Sequence, residues 1–354
     1  MRLSPRLHNK LTGVAVKSSL LASILWASSA LSISGCQVAH PMASDALASQ
    51  TPNVGLYTQT FGKVSDPAVV FVHGGPGYNS FSFEASTAES LSQLGFYVVV
   101  YDERGAGRSP NGVSADFTYS KYIKDLDEVI HSTGAVRPVL LGHSFGGSLA
   151  LKYFDKHRTA TRGVILADAP LSYPSTLRTM LAHCKTKALA SSDADFLATV
   201  QALQAQMFPS SGGYGFTADN VGTVFGIGMV KCGLYTAQHP SPTAAAIQQA
   251  LAADPRAFLL SDLTAAPFAG FIANEHYEAS ELLPLAQALR SKVFAIIGSE
   301  DGLFDSAMIG AVQTALGTTH VAVIPGASHS AFIDQPEIFR NNLQVALAAL
   351  LHAE

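Results

Sequence analysis

Short apolar runs rich in valine and isoleucine recur along this chain, and amphipathic segments with helical periodicity separate them. Runs that are apolar at every position are typical of parallel strands covered by helices on both faces. The alternation therefore predicts an α/β fold with a doubly wound, mostly parallel sheet. The expected strands are residues 68–72, 97–101, 139–141, 163–166, 292–297 and 320–324, and the expected helices are residues 87–94, 119–131, 147–154, 306–316 and 337–351.

The alternation stops between residues 171 and 283. This stretch has no clear strand pattern, and its periodicity predicts helices at residues 176–190, 193–207 and 242–252. An insertion of this length between two strands would lie over the carboxyl ends of the strands, where open α/β sheets bind ligands. We therefore predict a core formed by residues 55–170 and 284–354 and an inserted helical cap formed by residues 171–283, with an unrelated second domain as the alternative.

The first 35 residues have the pattern of a bacterial export signal. Four basic residues and no acidic residue precede an apolar stretch that is too short to span a membrane stably. The stretch ends in residues 31–36, which resemble a lipobox, so we expect Cys36 to be lipidated after removal of residues 1–35. Residues 36–54 would form a flexible tether, and the protein would face the periplasm from the outer membrane. A simply cleaved signal and a periplasmic protein are the alternative.

Composition excludes several classes of protein. The chain is 48% hydrophobic and 14% charged, so it can bury a large core. Its formal net charge is −4, which makes nucleic acid a poor candidate partner, and membrane contact is expected only through the lipid anchor. Three cysteines are too few for a four-thiolate zinc site, and we predict no metal or cofactor. Cys184 and Cys232 could form a disulfide in an oxidising compartment or remain two unpaired thiols.

Residues 142–146 form the only Gly-x-Ser-x-Gly sequence in the chain, and they lie between a predicted strand and a predicted helix. This context is typical of a serine nucleophile on a sharp strand-to-helix turn, so Ser144 is the candidate nucleophile. The base should come last in the chain with its acid before it, and His329 and Asp301 follow the last two predicted strands. Glu300 is the rival acid.

Acyl transfer also needs backbone donors for the oxyanion that develops on the substrate. The N–H of Phe145, directly after the nucleophile, is one candidate. The second would come from the glycine-rich loop that follows the strand at residues 68–72, with Gly75 preferred and Gly74 next. His73 in the same loop could orient the backbone or contact the substrate as a second base.

Three motifs together resemble a known family. They are His-Gly-Gly-Pro-Gly at residues 73–77, Asp-Glu-Arg-Gly-Ala-Gly-Arg-Ser at residues 102–109 and Gly-His-Ser-Phe-Gly-Gly at residues 142–147. This combination is similar to the proline iminopeptidase branch of the α/β-hydrolases. The resemblance implies an α/β-hydrolase fold and a serine exopeptidase that releases an N-terminal residue, often proline, from short peptides. It also implies that Ser144, Asp301 and His329 occupy the triad positions.

The predicted cap departs from that family. Family members hold the substrate's free amine with carboxylates of the cap, and the resemblance makes Glu275 the first candidate here, followed by Glu278 and Glu281. The glutamate of the similar segment is displaced by one position, and the family's tryptophan-rich cap segment is absent. An esterase, lactonase or amidase acting on small molecules with the same triad is therefore the alternative, and a non-catalytic binding lipoprotein is the third hypothesis. The oligomeric state stays open.

Overall fold

The structure is a computed structural model that describes residues 55–109 and 112–352. The predicted signal peptide (residues 1–35), the lipidation site Cys36 and the tether (residues 36–54) lie outside the described residues, so these predictions stand as predictions.

Within the described ranges, seven strands form one sheet in the order β1-β3-β2-β4-β5-β6-β7. All neighbouring strands are parallel except β1, which pairs antiparallel with β3 at one edge. The doubly wound, mostly parallel sheet predicted from the sequence is confirmed. The strands are β1 Thr58–Phe61, β2 Ala68–Val72, β3 Tyr97–Tyr101, β4 Val139–His143, β5 Gly163–Ala167, β6 Val293–Gly298 and β7 Val321–Ile324.

Helices cover both faces of this sheet, and each face packs against them in its own apolar cluster. Alternate residues of β2 to β6 belong to the two clusters. Leu126 and Leu149 lie in one cluster, and Leu343 and Leu347 lie in the other. The α-helices are α1 Phe81–Phe83, α2 Glu89–Ser92, α3 Tyr119–Ser132, α4 Phe145–Lys156, α5 Tyr173–Ala190, α6 Ala194–Met207, α7 Ala218–Ile227, α8 Pro242–Ala253, α9 Ala265–Glu275, α10 Leu283–Ala288, α11 Ser306–Leu316, α12 Ala331–Asp334 and α13 Pro336–His352. Short π-helical turns at Glu84–Ala88 and Gly228–Cys232 and 3₁₀ turns at Ser114–Asp116, Ala257–Leu260, Tyr277–Ala279, Arg290–Lys292 and Thr318–His320 complete the helical structure.

The segment between β5 and β6 is helical, as its sequence pattern predicts. It contains α5 to α10, of which α7, α9 and α10 were not predicted from the sequence. The residues of α9 are apolar on almost every side, so they show no helical periodicity. Strand β1 was also missed, because its sequence Thr-Gln-Thr-Phe contains no apolar run and only one of its four residues is buried.

A disulfide joins Cys184 of α5 to Cys232 at the end of the π-helical turn, with the two Cα atoms 5.2 Å apart. The sequence left open whether these cysteines form a disulfide or remain unpaired thiols, and the structure contains the disulfide. The cysteines are 48 residues apart in the chain. Closing a loop of that length stabilises a folded protein by about 4 kcal/mol through the entropy of the unfolded chain. The bond therefore fixes the π-helical turn and the residues after it against α5.

Candidate active site

Ser144 lies on a sharp turn between β4 and α4. Its backbone has φ +51° and ψ −122°, a conformation that is disfavoured for residues other than glycine and is concentrated at functional sites. The turn requires glycine at position 146, because a Cβ there would lie 2.1 Å from the carbonyl oxygen of Val72. The backbone N–H of Ser144 donates to the carbonyl oxygen of Ala167, at 3.0 Å, which ties the turn to the end of β5. The hydroxyl is consequently presented at the carboxyl edge of the sheet.

His329 and Asp301 reach the same edge from the loops after β7 and β6. The Nε2 atom of His329 lies 2.9 Å from the Oγ of Ser144, and its Nδ1 atom lies 2.8 Å from the Oδ2 of Asp301. The second oxygen of Asp301 accepts the backbone N–H of Leu303 at 2.9 Å. A continuous hydrogen-bonded path therefore runs from a buried carboxylate through the imidazole to the hydroxyl, in the arrangement that activates a serine.

The charges around His329 determine its protonation. Burial by itself lowers the pKa of the imidazole, but the charge and hydrogen bond of Asp301 and the charges of Asp168 and Asp334 outweigh it, so the pKa is raised above 6.5. The neighbouring His143 contacts the backbone carbonyl of His329 through Nε2 at 2.7 Å. Burial lowers the pKa of His143 to about 3, so this ring stays neutral and adds no positive charge to the site at neutral pH.

The raised pKa of His329 gives a testable pH dependence. Only neutral imidazole can accept a proton from the serine, so kcat/KM should be low below the pKa and reach its plateau above it. Because the pKa is raised, we expect the half-maximal point above 6.5. The measurement is kcat/KM between about pH 5 and pH 9 on any hydrolysed substrate. A profile that is flat up to about pH 8 would argue against His329 as the base.

Glu300, the rival acid, points elsewhere. Its carboxylate contacts the imidazole of His239 and accepts the backbone N–H groups of Gln238 and His239. The structure thus places Asp301, and not Glu300, against the imidazole of His329.

The loop at residues 73–77 lies beside the serine. A Cβ on Gly74 would lie 2.9 Å from the Cβ of Ser144, so glycine is required for this close approach. The Nε2 atom of His73 accepts the backbone N–H of Glu103 at 2.8 Å, so its Nδ1 atom is the one that donates to the carbonyl oxygen of Gly74, at 2.7 Å. The Gly74 carbonyl is thereby fixed, and the N–H of Gly75 in the same trans peptide points to the opposite side.

These contacts also define the role that His73 can play. The ring is 1% exposed, and burial lowers its pKa, so it is neutral. Both nitrogens are occupied by backbone groups, which leaves none for a substrate. The structure therefore contradicts the predicted contact between His73 and the substrate and favours the alternative, orientation of the loop.

Phe145 is the first residue of α4, so its N–H has no acceptor within the helix and is available beside Ser144.

The three candidate carboxylates of the cap differ in their contacts. Glu275 accepts the backbone N–H of Tyr119 at 2.9 Å, at the first turn of α3, and so links α9 to the core. Glu281 accepts the hydroxyl of Ser172 at 3.0 Å. Glu278 is 3% exposed, and its Oε2 atom is buried without a hydrogen-bond partner. Burial raises the pKa of Glu278, and its other oxygen, Oε1, lies 3.6 Å from the Nδ1 atom of His276. A cation placed beside Oε2 would meet an unsatisfied acceptor and would favour the charged form of the carboxylate.

Aromatic rings surround the catalytic groups. The ring of Phe145 packs against Phe271 and Tyr277, with ring centroids 4.8 and 5.8 Å apart, and Tyr277 directly precedes Glu278. The ring of Tyr235 lies edge-on to His329 at 4.9 Å. Sequence reasoning missed Tyr235, because its segment of the cap shows no periodic pattern.

The Asp102–Ser109 motif forms a buried, ion-paired turn. Arg108 contacts both oxygens of Asp102, at 2.7 and 3.0 Å, and also the carboxylate of Glu84 at 2.8 Å. Glu84 in turn contacts Arg256 of the cap at 2.5 Å. The motif therefore organises the loops around the site and links them to the cap.

Across residues 55–109 and 112–352, no group of three His, Cys, Asp or Glu side chains is arranged to hold a metal ion.

Comparison with known proteins agrees with this geometry. The sequence profile of the alpha/beta hydrolase fold matches residues 67–336. A proline iminopeptidase from Saccharolobus solfataricus is 37% identical over 120 residues, which is 33% of this chain and 38% of that protein. The match thus spans less than two fifths of that relative. Over this stretch, the predicted resemblance to proline iminopeptidases is confirmed.

Two solved structures share the fold. A proline iminopeptidase-related protein from Thermus thermophilus superposes with a TM-score of 0.60 at 23% identity and covers 83% of this chain and 94% of its own. An esterase from Exiguobacterium antarcticum superposes with a TM-score of 0.55 at 20% identity and covers 83% of this chain and 95% of its own. With a family match over most of its length and the same architecture in both structures, the chain belongs to the alpha/beta hydrolase fold family.

Proposed function

We propose that this protein is a serine hydrolase in which Ser144 is the nucleophile, His329 the general base and Asp301 the acid that orients His329. The observation that supports this most directly is the hydrogen-bonded path from Asp301 through His329 to Ser144, with distances of 2.8 and 2.9 Å. No other group in the described chain is needed to activate the hydroxyl.

The first half of the reaction forms an acyl-enzyme. The Oγ of Ser144 attacks the carbonyl carbon of the substrate while its proton moves to the Nε2 of His329, and Asp301 stabilises the resulting imidazolium. The oxyanion is stabilised by the N–H groups of Phe145 and Gly75, at the helix start and in the loop that His73 orients. His329 then protonates the leaving group, which departs, and Ser144 remains acylated.

The second half uses water. His329, again neutral, takes a proton from a water molecule, and the hydroxide attacks the acyl carbon. The second tetrahedral intermediate collapses, the carboxylic acid product is released, and the proton returns from His329 to Ser144. The same groups thus serve both halves of the reaction.

For the substrate, we propose a short peptide whose N-terminal proline or small residue is released. Curated proline iminopeptidases match about a third of the chain, and Glu278, which directly follows Tyr277 in the sequence, offers a buried carboxylate oxygen without a hydrogen-bond partner. A substrate ammonium would satisfy that oxygen, because a buried charge needs an opposite charge. Glu278 replaces Glu275 as the preferred amine ligand, since Glu275 already holds the N-terminus of α3.

Paired substrates test amine recognition. A prolyl arylamide should be hydrolysed far faster than the same compound acylated on its nitrogen, because only the first carries a cation. Glu278→Gln should raise KM for the free amine by about 10- to 100-fold and leave KM for a simple aryl ester unchanged. Glu281→Gln is the matched control, since that side chain contacts Ser172, and it should change neither value. Equal hydrolysis of the paired arylamides would reject amine recognition and favour the esterase, lactonase or amidase alternative.

We further propose that the protein is exported and anchored by lipid on Cys36. The Cys184–Cys232 disulfide supports export, because such bonds persist in oxidising compartments. Metabolic labelling with an alkyne fatty acid in a bacterial host should mark the wild-type protein in the membrane fraction. Cys36→Ser should abolish the label. A soluble, unlabelled wild-type protein would favour a simply cleaved signal instead.

A further inference from the structure

Asp168 is a buried acid beside the triad that the mechanism above does not use. It is the first residue after β5, it is fully buried, and its backbone has φ +48°. A positive φ is strained for aspartate, and such residues persist only where the surrounding structure holds them in place. Ser144 is another non-glycine residue with this backbone strain, and its strain serves the site.

The contacts of Asp168 reach the segments that bear the other two triad residues. Its Oδ1 atom accepts the backbone N–H of Gly298 at 2.7 Å, and its Oδ2 atom accepts the backbone N–H of Ala331 at 3.3 Å. Gly298 ends β6 three residues before Asp301, and Ala331 begins α12 two residues after His329. One carboxylate therefore bridges the loop of the acid and the loop of the base.

The backbone around Asp168 makes the same connection to the nucleophile. The N–H of Asp168 donates to the carbonyl oxygen of Ile296 in β6 at 2.8 Å, and the carbonyl oxygen of the preceding Ala167 accepts the N–H of Ser144 at 3.0 Å. The dipeptide 167–168 thus contacts the segments that carry all three triad side chains.

We propose that Asp168 is a positioning residue for the triad, which holds the Asp301 loop and the His329 loop together so that the imidazole stays within hydrogen-bond distance of both its partners. The proposal rests on the proposed function, because it assigns a role in the reaction of Ser144.

A purely structural role does not account well for an acid at this position. Burying a carboxylate is unfavourable, and an apolar side chain of similar volume is often more stabilising. Burial and the neighbouring charge of Asp301 raise the pKa of Asp168, while His329 and the two backbone N–H donors favour its charged form. An acceptor with two oxygens is, however, the simplest group that can bind two separate backbone N–H groups at once.

Asp168→Asn keeps the shape of the side chain but replaces one acceptor oxygen with a donor. The remaining oxygen can hold Gly298, and the amide NH₂ then faces the N–H of Ala331, so the His329 loop loses its tie. We expect kcat to fall by about 10²-fold, because small displacements of catalytic groups have effects of this size. KM should stay within about twofold of the wild-type value, since no contact with the substrate is removed.

Two readouts do not depend on the substrate. The rate at which an aryl fluorophosphonate labels Ser144 should fall by a factor similar to the fall in kcat. The downfield proton resonance of the His329 Nδ1–H, which reports the hydrogen bond to Asp301, should shift or broaden. If the proposed function fails but the proposal about Asp168 holds, the substrates are not hydrolysed while the resonance still changes between wild type and variant.

Asp125→Asn is the matched control. Asp125 is also a buried carboxylate, and it accepts two hydrogen bonds from Arg104, at 2.9 and 2.6 Å, in a contact that does not involve the triad. This variant should lose stability but keep the resonance and the labelling rate. A folded Asp168→Asn protein with wild-type kcat, labelling and resonance would overturn the proposal. Asp168→Ser serves if the asparagine variant does not fold, and failure of both to fold would reject the positioning role in favour of a folding role.

Discussion

Replacement of Ser144 by alanine is expected to lower kcat/KM by about 10⁶-fold, because it removes the nucleophile of a triad whose members act as a unit. The turn itself should be preserved, since alanine fits wherever serine does and the required glycine at position 146 is unchanged. A fluorophosphonate should label the wild-type protein at Ser144 and leave the variant unlabelled. The measurements are kcat/KM on the best arylamide or ester and mass spectrometry of the labelled protein.

Ser148→Ala is the control for this experiment. Ser148 lies one turn further along α4 and contacts the hydroxyl of Tyr173 at 3.2 Å. It is buried in the same helix but is not hydrogen-bonded to His329, so its replacement should leave labelling intact. Labelling that persisted in the Ser144→Ala protein would place the nucleophile elsewhere and would remove the basis of the proposed function.

The second large effect is expected for Asp301→Asn, with a fall in kcat of about 10⁴-fold. An amide in place of the carboxylate no longer holds the imidazole in the tautomer that accepts the serine proton, and it no longer stabilises the imidazolium. The charge of Asp301 raises the pKa of His329, so its removal should also move the acidic limb of the pH profile to lower pH. Kinetics over the pH range measure both effects together.

Glu300→Gln provides the comparison, because it changes the adjacent acid in the same way. Glu300 contacts His239 and the backbone of the cap, so this variant should keep most of its activity. A larger loss for Glu300→Gln than for Asp301→Asn would show that the loop rearranges in solution and that the rival acid is the one in use.

The sequence predicts the fold where residue patterns are strong and local. Strand β2 is apolar at every position, and the observed bounds of β2 and α11 match the expected ones. The short polar strand β1 could not be predicted, because its position depends on pairing with the edge of β3 and not on its own composition. The helix expected at residues 87–94 ends at Ser92, and helical structure before it begins already at Phe81. The π-helical turn Glu84–Ala88 breaks the α-helical period there, so the sequence pattern does not show this earlier start.

The triad geometry could be anticipated because its three residues follow three predicted strands. The role of Asp168 could not, although it also follows a strand, since its importance depends on which backbone N–H groups approach it from β6 and α12. The preference for Glu278 as amine ligand could not be predicted either, because the sequence ranks it after Glu275. Only the contact between Glu275 and Tyr119 shows that Glu275 is already occupied.

The Cys184–Cys232 bond has a practical implication for anyone who prepares this protein. The turn that ends at Cys232 leads within three residues to Tyr235, whose ring rests on the general base, and Leu234 between them accepts the N–H of Gly302 next to the triad acid. Material produced in a reducing cytoplasm would lack the covalent link that holds this stretch in place. Its measured turnover would then reflect the redox history of the sample as much as the chemistry of the enzyme.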